Sequence, residues 1–467
     1  MGRRSFARRD FIIGFFGFLI GLFALVLWLM PRVVRQDFED LAVSAVGPLS
    51  VTFNQPITLD SLPANFFIAP HVTGTLDVSG RQLIFQPNQP WEYDQSYTVS
   101  LRPGIRGSNG LPGLVGSTLT FSVEEPRLLF LREIDGRSNI WRQEEAGPPF
   151  QLTDEPVGVW DFQATPDGQG ILYSALEADS SSDLILRAND GSRVVLLDCP
   201  AERCIFGHWQ PGGPLIAFER KPLTTSAGKP GEVWLLDPTD GALEPAANSN
   251  LLAEFGLQDQ DSNSPRWSAD GRYLALYLPN ARLVLIKDLV SQSSTLVPAN
   301  LEIMGDWSPV SAQLAYSELA IGQPNPDDSL VPTEANSSEL IPALYNHITM
   351  VDVAGEAATD LSAGQVMDYG KPVWHPDGKT LAAPAGARGG AWQIWTLGLS
   401  GEEPQVYTNN PSLNHSSLAW SPDGRLLAFM GNDRGSSESG PAVWLLDSET
   451  GDSELIVAGA YLPAWQP

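Results

Sequence analysis

A chain of 467 residues is too long for one ordinary domain, so two or more are expected. Only 18% of residues are charged while Trp and Gly are plentiful, which suits a β-rich globular protein with many turns and argues against a disordered one. The formal charge of −27 argues against nucleic-acid binding, which needs a basic face to displace counterions, and against lying flat on an anionic membrane.

After a tail at 1–10, residues 11–30 read FIIGFFGFLIGLFALVLWLM, twenty uncharged and almost wholly apolar residues. As a helix they would span about 30 Å, one bilayer core. Arg3, Arg4, Arg8 and Arg9 precede the stretch, while only Arg32 and Arg35 follow closely. The positive-inside bias therefore predicts a single-pass signal-anchor with the N-terminus in the cytoplasm and everything after residue 35 outside, in the cytoplasmic (inner) membrane. Arg8-Arg9-Asp10-Phe11 resembles a twin-arginine export signal, and cleavage there would release the protein instead. Residues 31–40 read as a linker.

Residues 41–124 alternate short apolar strands with turn clusters: LSVTFNQPI, RQLIFQP, SYTVSLRPGI and STLTFSV each carry the period-two pattern of a half-buried strand. Gly47-Pro48, Pro87-Asn88 and Ser108-Asn109-Gly110 punctuate them, and evenly spaced short strands predict a β-sandwich. VTFNQPI, FQPNQPWEYDQSYTVSLRPGI and STLTFSV, in that order, resemble the bacterial Ig-like domains. That resemblance implies a spacer or adhesion module of envelope proteins and brings no catalytic residues.

From 126 to 467 one unit recurs. Its opening appears as QATPDG (163–168), HWQPGG (208–213), RWSADG (266–271), DWSPVS (306–311), VWHPDG (373–378) and AWSPDG (419–424). Pro presets φ at the second position of a type I turn and Gly suits the fourth. A short apolar run such as LIAF or LLAF follows, then a strand such as VWLLD, then a last strand such as SELIVA. Four strands per repeat is β-propeller spacing. The stretch 127–154 holds only a second, third and fourth strand, RLLFLRE, SNIWRQEE and FQLTD. The missing first strand is LPAWQP at 462–467, so six intact units and one split unit predict seven blades, six or eight staying open. The fold class is thus all-β: an N-terminal transmembrane helix, an Ig-like sandwich, and a propeller closed by pairing the C-terminal strand with 127–154. The motifs xWSPDGxxLAF and IWxxD resemble the WD40-like propeller family typified by TolB. TolB resembles a six-bladed ring preceded by a helical domain that is absent here, so the resemblance carries no role in the Tol system.

In this repeat Trp209, Trp267, Trp307, Trp374, Trp420 and Trp465 share one position, and Trp141, Trp234, Trp395 and Trp444 another, which reads as core packing. Asp167, Asp377 and Asp423 read as turn formers. Cys199 and Cys204, the two cysteines of the chain, would be oxidised outside the cytoplasm and staple a short loop.

First-to-second and third-to-fourth turns of a four-stranded blade fall on one face; second-to-third and blade-linking loops fall on the other. The first set is short and repetitive. The second is long and dissimilar, and includes 176–183, 219–232, 431–441 and the insertion 319–346. Loops carry binding on rigid scaffolds, so a protein or envelope-polymer partner is expected on the second face. Arg203, Arg220, Lys221, Lys229, Arg388 and Arg434 gather there as candidates for an anionic ligand, or as ion-pair partners of Glu177, Glu219, Glu232 and Asp433. No GxSxG elbow, HExxH helix or phosphate loop occurs. His71, His208 and His375 read as structural. Asp259, Asp261 and Asn263 open like a calcium loop, but Ser264 stands where Gly is needed, so no metal or cofactor is expected. The expected function is a membrane-anchored binding or scaffold module outside the cytoplasm. The alternative is a metal-dependent hydrolase or lyase with its site in the central channel.

Overall fold

The computed structural model describes residues 28–36, 49–88, 91–93, 95–123, 125–144, 147–223, 231–257, 260–322, 343–353, 358–435 and 440–467. The chain divides into two compact units, Met1–Glu124 and Glu125–Pro467. The apolar stretch 11–30 lies outside the described residues except for Trp28–Met30, as do Lys229, Asp259 and residues 323–342. Among the described residues no helix is long and apolar enough to cross a membrane.

The first unit is built from two antiparallel sheets. One runs Val33–Gln36, Leu49–Phe53, Gln82–Pro87, Gly74–Ser79 in spatial order; the other runs Phe66–Ala69, Ser96–Leu101, Ser117–Ser122. Alternation decides what each strand buries: Leu49, Val51 and Phe53 face inward with Leu83 and Phe85, while Tyr97, Val99 and Phe121 come from the opposing sheet. Trp91 packs edge-on against Tyr97 at 4.8 Å and against Phe121 at 5.3 Å. The predicted linker at 31–40 contains a strand, Val33–Gln36, paired with Leu49–Phe53. Four residues with one partly buried apolar contact, Val33, carry too little alternation to stand out in the sequence.

Among the described residues the second unit forms seven antiparallel groups of strands, called sheets and numbered here along the chain; the second and third are joined in one eight-stranded sheet. Sheet 1 is the split one, ordered Ala460–Gln466, Arg127–Ile134, Arg137–Arg142, Phe150–Gln151. Sheet 2 runs from Val159–Ala164 to Arg193–Leu197, and sheet 3 from Glu202–Trp209 to Ala242–Pro245; one parallel bridge, Ser182 to Arg203, joins these two. Sheets 4, 5 and 7 open on Asn263–Trp267, Met304–Trp307 and Leu413–Trp420, and the first strand of sheet 6 is broken into Asp368–Tyr369 and Val373–Trp374. Each first strand packs against the first strand of the next sheet, and Leu413–Trp420 packs against Ala460–Gln466, which in turn touches Val159–Ala164. No sheet closes on itself; this circular order of separate sheets is a propeller-like fold. One short helix, Ser249–Glu254, interrupts the link between sheets 3 and 4, its N-terminus capped by the Asn248 side chain on Leu251 N–H.

The repeated tryptophan does more than fill space. The indole N–H of Trp267 donates to the His208 carbonyl of the preceding sheet at 2.9 Å, Trp307 to Arg266 at 3.0 Å, Trp374 to Asp306 at 2.8 Å, and Trp465 to Ala419 at 3.0 Å. Sheet 2 has Ala164 in this position, and the gap is bridged by Gln466 Nε2, which donates to the Gly168 carbonyl and to Asn189 Oδ1. Between sheets 6 and 7 the Trp420 indole N–H has no acceptor; His375 stands edge-on to that ring at 4.8 Å instead. The turn aspartates behave as their sequence implies. Asp167, Asp270 and Asp423 each accept from the hydroxyl two residues earlier and from the N–H two residues later.

These bonds make a differential prediction. Trp307→Phe keeps most of the apolar volume but strands a carbonyl inside the ring, and should destabilise the fold by about 1–3 kcal/mol. Trp420→Phe removes an N–H that already lacks a partner and should cost less. Thermal melts of the two variants side by side test this; an equal loss, or a larger one for Trp420→Phe, refutes the stitching role.

Candidate functional site

The second-to-third connections and the sheet-linking segments meet at one end of the second unit, and side chains tie neighbours together there. Arg203, just past the link to sheet 3, donates to the Ser180 carbonyl in the second-to-third turn of sheet 2 and lies over Trp160, 5.0 Å from the ring centroid. Its neighbourhood is stapled by the Cys199–Cys204 disulfide, whose Cα atoms are 6.3 Å apart. Arg388 bonds Asp368 at 3.2 Å and the Leu344 carbonyl, and lies over Tyr345. Arg434 donates to the carbonyls of Gly389 at 2.8 Å and Pro411 at 3.3 Å.

The basic candidates therefore form two groups. Arg203, Arg220 and Lys221 share sheet 3, where Arg203 pairs in register with Lys221; Arg388 and Arg434 adjoin on sheets 6 and 7. Arg220 pairs with Glu202 and stacks over Trp234, and Lys221 pairs with Glu219. Of the four anticipated acidic partners only Glu219 is used in these pairs; Glu202 and Asp368 take the others' places, because antiparallel register sets Glu202 and Cys204 opposite Pro222 and Arg220. Each described cation is already committed to a local partner; Arg203, Arg388 and Arg434 tie neighbouring connections, while Arg220 and Lys221 pair within sheet 3.

A second feature was not anticipated. The inner strands share a bulge three residues before the tryptophan position, where Phe206, Ser264, Ser417 and Leu462 have φ of 54°, 53°, 50° and 49°. This left-handed conformation is unfavourable for L-residues, and it recurs because the inner strand must bend toward the axis. At two of these positions an acidic side chain of the preceding sheet satisfies the N–H: Asp161 Oδ2 accepts from Phe206 at 3.0 Å and Glu219 Oε1 from Ser264 at 2.9 Å. Beyond the bulge, the residues preceding the tryptophans link sheet to sheet. Gln163 accepts from Trp209 N–H, Arg266 donates to His208 Nε2 at 3.0 Å, and Asp306 bridges Arg266 and Lys371, each at 3.2 Å.

Charge sets protonation in this girdle. Burial, and then the nearby cations Arg266 and Lys371, push His208 well below the ordinary histidine range, so the ring is neutral and accepts from Arg266. Burial alone would raise Asp306, but Lys371 and Arg266 override it and hold the carboxylate ionised. Burial lowers Lys371, with Asp306 opposing. Asp306 and Lys371 nevertheless keep 41% and 44% of their side chains open to solvent, as expected of groups facing an axial opening. Asp161 is buried and pushed up to about 6, by desolvation first and by Glu219 in addition, against the Phe206 hydrogen bond. Sequence reading missed the girdle because its members have no common residue type; their shared offset from the tryptophan was the available signal. On the loop end, His347 donates from both ring nitrogens, to Asp360 at 2.8 Å and to the Gln365 carbonyl at 2.9 Å. Burial opposes charging this ring, but the Asp360 carboxylate more than offsets it and raises the imidazolium's pKa. Among the described residues no cluster of three or more His, Cys, Asp or Glu could hold a metal ion.

Residues 30–123 match the bacterial Ig-like domain family. No curated protein matches the chain in sequence. TolB from Acinetobacter baumannii aligns over 86% of this chain and 83% of its own at 11% identity, with a TM-score of 0.44. An oligogalacturonate lyase in complex with manganese aligns over 71% of this chain and 85% of its own, at 13% identity and a TM-score of 0.47. A puromycin-hydrolyzing peptidase of Mycobacterium tuberculosis aligns over 72% of this chain but only 53% of its own, at 14% identity and a TM-score of 0.47. The chain thus carries a bacterial Ig-like domain followed by a propeller-like unit.

Two pH dependences follow from the buried groups. Because the folded-state pKa of Asp161 is raised, the folded state binds the extra proton between about pH 4 and 6, and stability falls as pH rises through that window. Asp161→Asn keeps an acceptor for Phe206 N–H and should flatten that slope, gaining up to about 3 kcal/mol at neutral pH. His347, with a raised pKa, contributes stability that is complete below 6.5 and lost as pH rises through its folded value. His347→Gln should therefore lower the melting temperature more at pH 6 than at pH 9. Chemical denaturation across pH checks both; slopes indistinguishable from wild type would refute each.

Proposed function

We propose that this protein is a single-pass anchor of the cytoplasmic membrane whose propeller, of seven blades closed by the C-terminal strand, lies outside the cytoplasm and binds a protein or envelope polymer through its long-loop end. The observation that carries the reading is the tying of dissimilar loops across sheets by Arg203 on one side and by Arg388 and Arg434 on the other, which turns separate connections into two held patches. The Ig-like domain serves as the spacer next to the anchor, in keeping with the arginines before residue 11 and the apolar run that follows. The alternative of a metal-dependent hydrolase or lyase in the channel gains no support from the girdle. Arg266 and Lys371 both contact Asp306, and two cations beside the carboxylate repel a metal ion while suiting an anionic group.

Affinity capture from native membranes tests the reading, using the full chain, a version lacking residues 323–342, and the double variant Arg388→Glu/Arg434→Glu. A partner held by the intact chain and weakened roughly tenfold by either change, a loss of about 1.4 kcal/mol, supports it. A partner held equally by all three would place binding elsewhere, and capture of none by the intact chain refutes the scaffold role.

A further inference from the structure

The last residues of the apolar stretch do not hang free of the Ig-like domain. The Leu29 carbonyl accepts from Gln55 Nε2 at 2.6 Å and from Asn109 Nδ2 at 2.9 Å, and Gln55 and Asn109 bond each other at 2.8 Å. Asn54 Nδ2 donates to the carbonyls of Met30 and Trp28, and its Oδ1 accepts from Arg32 N–H at 2.8 Å. Gly113 is pressed so close to Pro31 that an added Cβ would sit 2.8 Å from the Pro31 carbonyl oxygen. The chain from Trp28 to Arg32 is therefore fixed to the domain surface, and no slack separates residue 30 from the sandwich.

Around this anchoring point the surface has an unusual composition. Val115 is 79% exposed, Trp28 62% and Leu114 56%, and Val115 lines a shallow cleft together with Pro31, Arg32, Val33 and Arg102. Exposed Arg32, Arg102 and Arg106 border the same end, with Asp60 on the neighbouring turn as the nearby acid. Exposed apolar side chains beside a tryptophan, rimmed by arginines, suit the zone where acyl chains meet anionic headgroups. The chain outside the described residues supplies the occupant: 17 uncharged and almost wholly apolar residues, 11–27, end one position before Trp28.

We propose that this end of the Ig-like domain, centred on Trp28, Leu114 and Val115, docks on an anionic lipid bilayer, so that the domain sits on the membrane surface. The inference rests on the anchored reading above. It also limits the acidic repulsion expected of the chain as a whole, since exposed Arg32, Arg102 and Arg106 border the face that would meet the bilayer.

The test uses the full chain reconstituted in vesicles of phosphatidylglycerol and phosphatidylethanolamine, with an environment-sensitive fluorophore on Val115→Cys or, as the control, on Ser122→Cys. The native cysteines are disulfide-bonded, so the introduced thiol is the reactive one. Ser122 is exposed at the far end of the strand Ser117–Ser122, about 17 Å from the loop end. The expected result is a blue-shifted probe at 115 that lipid-borne nitroxide quenches, an unquenched probe at 122, and loss of the shift at 115 when Leu114→Asp is added. Water-like emission at both positions in a chain that floats with the vesicles would overturn the docking and leave the anchor standing. A chain that fails to float would overturn the anchor, and the docking with it.

Discussion

Everything in the second unit depends on one antiparallel pairing, that of Ala460–Gln466 with Arg127–Ile134. Without it Arg127–Ile134 would present a bare inner edge, and sheets 7 and 2 would have no common neighbour. The strand does more than cover that edge. Trp465 reaches back to sheet 7 through the Ala419 carbonyl, and Gln466 reaches forward to Gly168 and Asn189 in sheet 2. Tyr461 bonds Ser138 within sheet 1, a separation of 323 residues, and Gln466 bonds Gly168 across 298, so this strand joins sheet 7 beside it to sheets 1 and 2 far upstream. A pairing between strands so distant in sequence places a large loop-entropy cost on folding, and the density of bonds on this strand is what offsets it.

What the sequence made legible follows from what repeats. The Pro-Asp-Gly turns, the apolar run after them and the tryptophan recur, so strand order within a repeat and the split first sheet could be read directly, while uneven spacing left the number of sheets between six and eight. The Ig-like strands Leu49–Phe53, Gln82–Pro87, Ser96–Leu101 and Ser117–Ser122 were visible for the same reason, clean alternation. Val33–Gln36, Gly74–Ser79 and the helix Ser249–Glu254 were not, since short elements with few buried side chains leave little period to detect. Arg220 and Arg388 were placed on the loop end from topology alone, but their partners Glu202 and Asp368 depend on cross-strand register and on which sheet comes next. The indole hydrogen bonds were hidden as well: a repeated tryptophan announces packing, and only the angle between neighbouring sheets brings its N–H to a carbonyl.

The acidic composition and the arginine ties are two sides of one arrangement. Arg220, Lys221 and Arg388 find carboxylates on their own or an adjacent strand, while Arg203 and Arg434 are held by backbone carbonyls of neighbouring connections. Exposed pairs of this kind add little to stability individually. Their effect is geometric, since Arg388 holds Asp368, the Leu344 carbonyl and the Tyr345 ring in one place, across the boundary between sheets 5 and 6.

The axis obeys a different rule. One position per repeat, the residue before the tryptophan, is Gln163, His208, Arg266 and Asp306 in sheets 2 to 5, then Val373, Ala419 and Ala464 in sheets 6, 7 and 1. Where a tryptophan bond holds the carbonyl at this position, as at His208, Arg266, Asp306 and Ala419, the scaffold does not depend on the side chain there. The position is therefore free to vary, and its variation is not scattered. Polar residues occupy consecutive sheets and apolar ones the remainder, with Lys371 extending the polar arc into sheet 6 through Asp306. Had solubility alone shaped the axis, polar residues would be expected around the whole ring. The polar side chains are instead coupled in one run from His208 through Arg266 and Asp306 to Lys371, while Val373 on the apolar side is buried in the core between sheets 6 and 7.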